Sequence, residues 1–587
     1  MRRIQEAMQQ RVADQLPFTL NVNGPFFSYY CGICANDYYG SSQVMLNAQL
    51  AVYHRFGRVT TISPEMSLAP EASALGGTIN WSEDGTAWVE PFIHTESDVD
   101  NLTLPDLDDA GYMTRIFDYY AFMAKKLAGS GIPITLGSAN SPFTIAALVR
   151  GTSEFIGDLV LNPRFARKLL RKVTDLVLMY LRHQQKISPP ESFTRILLFD
   201  DLSGFVNLEL FRQYVLPIYR EIYQAFPDCQ RWYHNDSDTT HILEAIAEAG
   251  IQMFHYGYQV DPAHIKKVIG DRVCLMGSVT PLEVLRNGTP EAVTKEVREI
   301  IQKAGHGGGL VVAAGGYIDE GTPIENIEAM LRATALYGQK EQILSLEPYV
   351  ESSVATTGAP KPAETAEEIV AAHAQFPILA RIEQAVIVGN LAEIEQLVQD
   401  AIDEGISAQQ ILDTSVITGM DRVGSLFSQG EIFIPEMMMA AKCTKLGMAH
   451  LTPLLAQNDG KKKSRGKIAI GTVMGDLHDI GKDIVISMMQ GAGLVVEDLD
   501  VDCPPERFCE AVENGAELIG MSAILTTVIP NMQRTVEMLK TRGLRDRCKV
   551  LIGGAAVTPM VVDEVGADAY CVDAGQGVKI AKELLGR

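Results

Sequence analysis

The sequence has no long hydrophobic run. Among its 587 residues, no apolar stretch reaches the roughly 18–20 residues that a membrane-spanning helix requires. The first residues, 1–6, are not followed by the apolar segment of a secretory signal. These absences exclude a helical membrane protein and lead us to expect a soluble, cytoplasmic protein without a membrane partner.

Positive charge is also scarce. The 50 Lys and Arg residues face 73 Asp and Glu residues, which gives a formal net charge of −23. Because such a surface repels phosphate backbones, nucleic acid is excluded as a partner. The one dense basic run, at 461–467, is interpreted as a solvated linker.

Cysteines are few and show no framework of pairs. Nine cysteines, an odd number, are scattered along the chain, which argues against structural disulfides and for a reducing compartment. Cys31 and Cys34 form one Cys-x-x-Cys pair, a pattern that can bind metal or form a redox disulfide. Without a second pair this signal is weak, and the role of the two residues stays open.

A stretch poor in large apolar residues divides the chain. Residues 347–366 are rich in small and polar residues and in proline, so they cannot bury a core. We predict a flexible linker there. The folded regions on either side are then 1–346, 367–457 and 466–587.

The first region alternates short apolar runs with longer amphipathic ones. Apolar runs that are each followed by a helical pattern indicate parallel strands covered on both faces. Seven or eight such units in about 340 residues favour an α/β fold, a closed (β/α)8 barrel. The predicted strands are 18–23, 132–136, 195–201, 231–236, 251–256, 273–277 and 310–314.

Polar residues gather where these strands should end, and in a barrel the carboxyl ends of the strands face the active site. The candidate catalytic residues are Asp200, Asp201, His234, Asp236 and His255. His234, Asp236 and His255 can bind a metal or donate a proton, whereas Asp200 and Asp201 can orient a substrate or a water. Ordinary hydrogen bonding at the barrel ends is the alternative interpretation of this set.

The other two regions differ in periodicity. Residues 367–457 have a helical pattern without strand candidates and predict four helices. Residues 466–587 have the alternating pattern of a doubly wound, Rossmann-like sheet. The strands predicted in that sheet are 467–472, 495–500, 517–522, 549–553 and 569–572.

The segment 475–482 reads Gly-Asp-Leu-His-Asp-Ile-Gly-Lys and follows the first of these strands. His478 therefore lies on the loop at the carboxyl end of that strand, where such sheets bind ligands. Asp476 can accept the proton of the far imidazole nitrogen and so fix the tautomer of a metal-binding histidine. Gly481 leaves room for a bulky planar group close to the backbone.

The pattern continues in Met-Ser-Ala-Ile-Leu-Thr at 521–526 and Ile-Gly-Gly-Ala at 552–555. With these three segments the chain resembles the cobalamin-binding domains of methionine synthase and of the small corrinoid proteins of methanogens and acetogens. The resemblance implies cobalamin or a related corrinoid, with His478 as the lower cobalt ligand backed by Asp476, and Gly481 beside them.

The same resemblance assigns roles to further residues. Ser522 and Thr526 would line the slot that takes the displaced nucleotide tail of the corrinoid, and Gly553 and Gly554 would let the tail pass between strand and helix. The helical region 367–457 resembles the cap of these proteins.

In that cap, Phe427 and Ile434 match the apolar residues that keep water from the methyl face of the corrinoid. Two positions depart from the family pattern. Ile524 replaces a leucine, and Val528 stands where a hydroxyl residue often ends the His–Asp hydrogen-bond chain. The proton relay behind His478 is then shorter.

Residues 1–346 resemble the uroporphyrinogen decarboxylase superfamily. The matching stretches include Asp-Asp-Leu-Ser-Gly at 200–204, Tyr-His-Asn-Asp at 233–236 and Gly-Thr-Pro at 321–323. Some members decarboxylate a porphyrinogen, and others move methyl groups to or from corrinoids. The fused corrinoid domain favours the methyltransferases, and the domain order resembles that of chloromethane:corrinoid methyltransferases.

In the thiol-methylating members, zinc is held by a His-x-Cys pair and by a later cysteine. The corresponding positions here are His234, Asp236 and Ala313, so both thiolates are missing. His234 and Asp236 can still form a zinc site, because zinc accepts oxygen ligands, but a harder site is less suited to carrying a thiolate. The comparison therefore implies methyl transfer to the cobalt rather than to a thiol.

We predict a corrinoid-dependent methyltransferase that moves a methyl group from a small donor, such as a methyl halide or a methoxylated aromatic, to its own bound corrinoid. Methylamines and methyl thioethers are alternative donors. Tyr29, Tyr30, Tyr38 and Tyr39 can suit an aromatic or cationic donor, or simply belong to the core.

Two other functions are weighed against this prediction. A methylcorrinoid:acceptor transferase would work in the opposite direction, and the missing thiolates argue against it. A cobalamin-dependent sensor would need a DNA-binding or signalling module, and none is visible in the sequence. The resemblance also implies two partners, a reductive activase for the corrinoid and a second methyltransferase to tetrahydrofolate or a thiol, which a tethered corrinoid domain can visit in turn.

Overall fold

A computed structural model describes the chain apart from residues 1, 58, 82–86, 350–371, 459–466, 477–479, 493, 524–527, 555–556, 558, 573 and 587. It comprises two compact units, Met1–Val354 and Ala355–Arg587. Most of the predicted linker and of the basic run lie outside the described residues, as do His478, Ile524 and Thr526. The domain limits given above stay predictions. In the described part of the chain, no helix has the length and apolarity needed to cross a membrane.

The first unit is built around a six-stranded parallel sheet in the order β3-β4-β5-β6-β7-β8. A separate antiparallel hairpin joins β1 to β2. The strands are β1 Ile79–Trp81, β2 Ala87–Val89, β3 Ser138–Asn140, β4 Arg195–Phe199, β5 Gln230–Asn235, β6 Met253–Tyr256, β7 Cys274–Val279 and β8 Leu310–Ala314.

Single bridges close this sheet into a ring. Phe18 forms a parallel bridge with Val312 of β8, and Ile62 forms one with Ile134, just before β3. Between them, the Leu20 amide donates to the Val59 carbonyl. The segments around residues 18 and 60 therefore complete eight positions, which agrees with the predicted barrel.

Two predicted strands contribute less than expected, and the hairpin strands β1 and β2, the strand β3 and a segment near residue 60 were not predicted. The runs 18–23 and 132–136 contribute single bridges rather than strands, and Pro133 within the second run has no N–H to donate to a ladder. The segment near residue 60 was not predicted, since it is too short to show a period.

The helices of the first unit have apolar residues every three or four positions. This spacing places the apolar side chains on one face of each helix, and that face packs against the sheet. In Pro163–Ile187, the buried side chains include Leu169, Val173, Leu176 and Tyr180. The α-helices of this unit are Arg2–Met8, Gly24–Cys31, Ala35–Gly40, Ser42–Phe56, Ala69–Ala74, Glu96–Asn101, Tyr112–Leu127, Pro142–Arg150, Thr152–Leu161, Pro163–Ile187, Leu208–Leu210, Leu216–Ala225, Leu243–Glu248, Pro262–Ile269, Pro290–Ala304, Ile324–Tyr337 and Lys340–Leu344.

Short helical segments of other types complete the first unit. The 3₁₀ segments are Leu107–Asp109, Pro190–Ser192, Ser203–Phe205 and Thr240–Ile242, and the π segments are Phe211–Val215 and Pro281–Arg286.

The second unit begins with helices, as the periodicity of 367–457 predicts. They are Pro377–Val388, Ile394–Asp403, Ala408–Ile411, Ile417–Ser428 and Ile434–Asn458, and the π segment Leu412–Val416 joins the third to the fourth into one continuous helix. The expected four-helix arrangement is therefore present.

A five-stranded parallel sheet follows, in the order β10-β9-β11-β12-β13. Its strands are β9 Lys467–Thr472, β10 Val495–Asp498, β11 Leu518–Ser522, β12 Lys549–Gly553 and β13 Ala569–Cys571. The helices around it are Ile480–Gly491, Pro505–Glu513, Ile529–Thr541, Pro559–Val565 and Ala574–Leu584, with a 3₁₀ turn at Arg545–Arg547. The strand order reverses between β9 and β11, so ligands are expected at the carboxyl ends of these two strands.

Candidate functional site

The carboxyl ends of β4, β5 and β6 bring the predicted catalytic residues of the barrel together. His234 of β5 is in register with His255 of β6 and with Phe199 of β4. Asp201 follows β4, and Asp236 follows β5 directly. Parallel strands end at one edge of a barrel, so neighbouring strands deliver these side chains to one place.

Three of these side chains form a group that can hold a metal ion. One ligand atom each from Asp201, His234 and Asp236 lies within 4.8 Å of the others. His234 is 2% exposed, and its Nε2 atom has no hydrogen-bond partner among the described residues. The nearest carboxylate oxygen is Asp201 Oδ1, at 3.5 Å. A buried nitrogen without a partner beside two carboxylates fits a divalent cation, and zinc accepts this ligand set.

The electrostatics of the group favour a bound cation as well. Burial, and then the facing Asp236 carboxylate, raise the pKa of Asp201 well above its usual range, although 46% of its side chain is exposed. Burial also lowers the pKa of His234, and it lowers the pKa of His255 to about 3. These shifts favour a proton between Asp201 and Asp236 and uncharged imidazoles when no cation is bound.

Two predicted site residues lie behind this group rather than in it. Asp200 is completely buried, and its carboxylate accepts hydrogen bonds from Thr144, Ser203 and Tyr219, so it ties the end of β4 to the helices Pro142–Arg150 and Leu216–Ala225. His255 uses both ring nitrogens within the protein and does not belong to the metal-binding group.

The structure shows where the two positions without a thiolate, Asp236 and Ala313, and the two N-terminal cysteines lie. Ala313 lies fully buried in β8 and offers no ligand atom. Asp201, expected only to orient a substrate, supplies the third potential ligand. Burial raises the pKa of the Cys31 thiol, and Cys34 Sγ accepts from the Asp37 amide as a helix cap. Neither cysteine is part of the metal-binding group found among the described residues.

The sequence interpretation missed three residues near the group. The Tyr317 ring lies 5.6 Å from the His234 ring, and burial followed by the charges of Glu65, Asp201 and Asp236 raises the pKa of Tyr317. Burial raises the pKa of Glu65 to about 7. It also raises the pKa of Asp319 to about 6. Glu65 and Tyr317 both follow strand segments of the barrel closely, which is the signal that could have identified them.

The predicted tyrosines are mostly core. Tyr38 and Tyr39 are buried and Tyr30 is partly buried against the core, whereas Tyr29 is exposed. The Tyr38 hydroxyl donates to Glu65 at 2.5 Å and accepts from Gln49, so it supports Glu65 from behind.

The second unit contains an apolar cavity of about 210 Å³ at the end of its sheet. Its walls include Phe427 of the helical cap, Gly481, Ser522, Gly553 and Gly554, all predicted cofactor-binding residues. The sequence therefore predicted five of the residues that line this cavity.

Glycines keep the cavity open. A Cβ atom on Gly554 would lie 2.2 Å from the Ala523 carbonyl oxygen, and one on Gly553 would lie 2.9 Å from Cys571 Sγ. Gly554 also has φ +111°, a backbone conformation that favours glycine. Only glycine leaves this space free between strands and helices, so the residues present fit a long, slender group such as the nucleotide tail of a corrinoid.

Other predicted residues of this region are close by but do not line the cavity. Asp476 is buried, and its carbonyl accepts from the Asp502 amide. Ile434 is buried in the cap. Val528 is buried and approaches Gly475. The predicted roles of Asp476, Ile434 and Val528 stay predictions.

Comparison with known proteins agrees with this geometry. Residues 1–337 match the family model of uroporphyrinogen decarboxylase (URO-D). Residues 378–452 and 466–584 match two models described as B12 binding domains.

Curated relatives match the second unit. A corrinoid protein of Desulfitobacterium hafniense is 39% identical over 212 residues, which cover 36% of this chain and 98% of the relative. Dimethylamine corrinoid protein 1 of Methanosarcina acetivorans is 40% identical over 209 residues, 35% of this chain and 97% of the relative.

A solved methyltransferase from Methanosarcina mazei covers 57% of this chain and 98% of its own, with a TM-score of 0.50 and 19% identity, which shows a shared fold. The expected family, fold class and cofactor are confirmed. The chain belongs to the uroporphyrinogen decarboxylase family and is a corrinoid-dependent methyltransferase, with a URO-D barrel fused to B12-binding domains.

Proposed function

We propose that this enzyme transfers a methyl group from a small uncharged or positively charged donor to the corrinoid bound by the same chain. A separate methyltransferase would then pass the methyl group to tetrahydrofolate or a thiol, and a reductive activase would restore oxidised cofactor. The observation that carries the proposal is the Asp201–His234–Asp236 group, which combines a buried, unpartnered nitrogen with two carboxylates and no thiolate.

The ligand set supports a donor rather than a thiol acceptor. Zinc sites that activate thiols use soft sulfur ligands, whereas one imidazole and two carboxylates make a harder, more Lewis-acidic site. When bound, such a metal would accept a lone pair from an oxygen, nitrogen, sulfur or halogen atom of an uncharged donor and make that atom a better leaving group. A cationic donor has no such lone pair, and its positively charged nitrogen or sulfur is already the better leaving group. His234 and the two aspartates would hold it.

The protein's own residues would orient the donor. Tyr317 packs beside His234 and presents an aromatic ring and a hydroxyl at the same edge of the barrel. Its rigid ring can hold the methyl-bearing end of a donor in one orientation, which is the main contribution a methyltransferase makes when the cofactor supplies the nucleophile.

Charge supports the choice of donor class. The carboxyl groups of Glu65, Asp201 and Asp236 all act on Tyr317, and Asp236 also acts on Asp319. A bound divalent cation would offset the charges of Asp201 and Asp236, and the ionised carboxyl groups of Glu65 and Asp319 would still disfavour an anionic donor such as a methoxylated benzoate. Methylamine-type donors therefore join the uncharged methyl ethers and halides, and the dimethylamine corrinoid protein among the relatives supports the same class.

In the second unit, the glycine-lined cavity supports the proposed binding residues. Ser522, Gly553 and Gly554 would hold the nucleotide tail, and Phe427 would cover the cofactor from the cap. His478 would ligate the cobalt with Asp476 behind it. His478 and Thr526 lie outside the described residues, so their roles rest on the sequence motif.

A panel of labelled donors tests the proposal. Reduced, corrinoid-loaded protein is mixed with a methylammonium donor, an uncharged methoxylated aromatic or its carboxylated analogue, and the label on the protein-bound corrinoid is counted. We expect transfer from at least one of the first two and not from the carboxylated compound. In a second arm, the protein is supplied with a corrinoid that already carries the labelled methyl group, and a thiol is added. If no donor gives transfer but the label moves from this corrinoid to the thiol, the enzyme works in the opposite direction.

A further inference from the structure

A chain of hydrogen bonds runs behind the metal-binding group. The Nδ1 atoms of His234 and His255 are 2.7 Å apart, and His255 Nε2 lies 2.8 Å from the Ala314 carbonyl oxygen. Both histidines are 2% exposed. This chain links β5 to β6 through two ring nitrogens, and β6 to β8 through a ring nitrogen and a backbone carbonyl.

The partners of His255 determine where its proton lies. A carbonyl oxygen can only accept, so His255 Nε2 must carry a hydrogen. A neutral imidazole has one N–H, which leaves a lone pair on His255 Nδ1. The Asn21 amide supports this assignment independently. Its Nδ2 atom donates to the Gly316 carbonyl at 3.0 Å and lies 3.4 Å from the same His255 Nδ1.

The proton position in His234 follows from this. The contact between the two Nδ1 atoms needs one hydrogen, and His255 cannot supply it. His234 Nδ1 therefore donates, and His234 Nε2 is left with a lone pair that faces Asp201. The opposite tautomer would place a hydrogen on Nε2 and block cation binding there.

We propose that His255 is a positioning residue that holds His234 in the Nδ1-protonated tautomer, so that Nε2 is available as an electron-pair donor at the methyl-donor site. The inference rests on the proposed function for the use made of Nε2, but the tautomer itself does not depend on a metal. His255 is buried, bonds to His234 and Ala314, and is not a member of the metal-binding group, so it would act through His234.

Two substitutions at His255 separate hydrogen bonding from packing. His255→Gln keeps an acceptor for His234 and a donor for Ala314, whereas His255→Leu has similar bulk and neither group. Outer partners of metal-binding histidines typically contribute about 10- to 100-fold in affinity. We expect His255→Leu to weaken zinc binding by that factor and His255→Gln to stay within about threefold of wild type.

The measurements use the full chain at neutral pH. Zinc affinity is measured by competition with a chromophoric chelator, and circular dichroism checks that each variant is folded. The ¹⁵N spectrum of metal-free, histidine-labelled protein reports the tautomer, with His234→Gln to assign the signal. We expect a His234 signal with protonated Nδ1 in wild type and in His255→Gln, and a mixture of tautomers in His255→Leu.

The outcomes are separable. A wild-type His234 protonated on Nε2, or a folded His255→Leu variant with an unchanged His234 signal, would overturn the inference whether or not zinc binds. Wild-type protein that shows the expected tautomer but takes up no zinc would support the relay and count against the metal in the proposed function. Equal zinc affinity in His255→Leu and wild type would also overturn the inference.

Discussion

The metal-binding group of the barrel and the glycine-lined cavity of the second unit both lie at the carboxyl ends of parallel strands, yet they are built in opposite ways. The barrel site consists of ionisable side chains, with Asp201, His234 and Asp236 crowded at the strand ends. The cavity depends on positions without a side chain, because Gly553 and Gly554 leave a space that a Cβ atom would fill. In the first region the protein supplies chemical groups, and in the second it supplies room.

The difference follows from where the chemistry resides. A corrinoid brings its own reactive metal, so its host needs shape and few charges. A methyl donor brings only a leaving group, so the barrel must provide polarity and orientation. Substitutions should therefore act through size in the cavity and through charge in the barrel.

The largest effect is expected from added bulk in the cavity. In Gly554→Val, the new side chain would collide with the Ala523 carbonyl and would adopt an unfavourable φ of +111°. Overpacking alone costs about 1–3 kcal/mol. We expect at least a tenfold loss of bound corrinoid, measured from its absorption per mole of protein after reconstitution.

Gly543→Val is the matched control for backbone strain. Gly543 also has a positive φ, but a Cβ atom at this position would have no neighbouring atom within 4 Å. This control should bind corrinoid as the wild type does. Equal corrinoid content in Gly554→Val and wild type would show that the cavity does not hold the cofactor.

A change of charge in the barrel should have the next largest effect. Asp236→Ala removes one potential ligand of the metal-binding group, and Asp236 is not one of the residues that line the cavity of the second unit. We expect methyl transfer to fall by roughly 100-fold or more, since even residues behind metal ligands contribute 10- to 100-fold. Transfer is measured with labelled donor, and the corrinoid content should not change.

Asp238→Asn serves as the control, because Asp238 is exposed and bonds locally to Thr240. If Asp236→Ala and Asp238→Asn transferred methyl groups at the same rate, the barrel site would be elsewhere.

The smallest effect concerns pH and Glu65. Its pKa is raised to about 7 by burial, so the carboxyl loses its proton and adds negative charge to the site as the pH rises through 7. For a permanently cationic donor we expect KM to fall severalfold between pH 6 and pH 8, because the ionised carboxylate attracts the positive charge of the donor. Glu65→Gln should flatten this profile, and an uncharged donor should show no such trend in either protein.

The same group gives a stability test with a defined sign. Between the ordinary value of 4.5 and about 7, the folded protein keeps the Glu65 proton while the unfolded chain releases it. This group's contribution to stability is therefore complete below pH 4.5 and declines as the pH rises to 7. The difference in melting temperature between Glu65→Gln and wild type should therefore grow in favour of the variant as the pH rises from 4.5 to 7. A difference that stays constant would show that the pKa of Glu65 is not raised by burial.

Much of both regions could be predicted from the sequence. The motif around Gly481, Ser522 and Gly553 identified the cavity because its glycines and spacing are local features. His234 and Asp236 were identified because they end a buried strand. The sequence did not predict that His234 and Asp201 lie side by side. Their proximity depends on the register of β4 and β5, and register is set by packing across the barrel.

The remaining misses have the same cause. Asp200 and Asp201 are adjacent in sequence but face opposite environments, one bonded within the core and the other beside His234. Glu65 and Tyr317 come from distant segments that only barrel closure brings together. Local patterns cannot show which of two neighbouring carboxylates faces the site.

The most direct test of the central claim follows the corrinoid of the intact chain. Reduced wild-type protein and Asp236→Ala are each mixed with the best labelled donor, while the corrinoid absorption spectrum and the protein-bound label are recorded. We predict that both signals change together in the wild type and are nearly abolished in Asp236→Ala at equal corrinoid content. Unchanged signals in the wild type with every donor, or equal transfer in both proteins, would contradict the claim that the barrel delivers methyl groups to its own corrinoid.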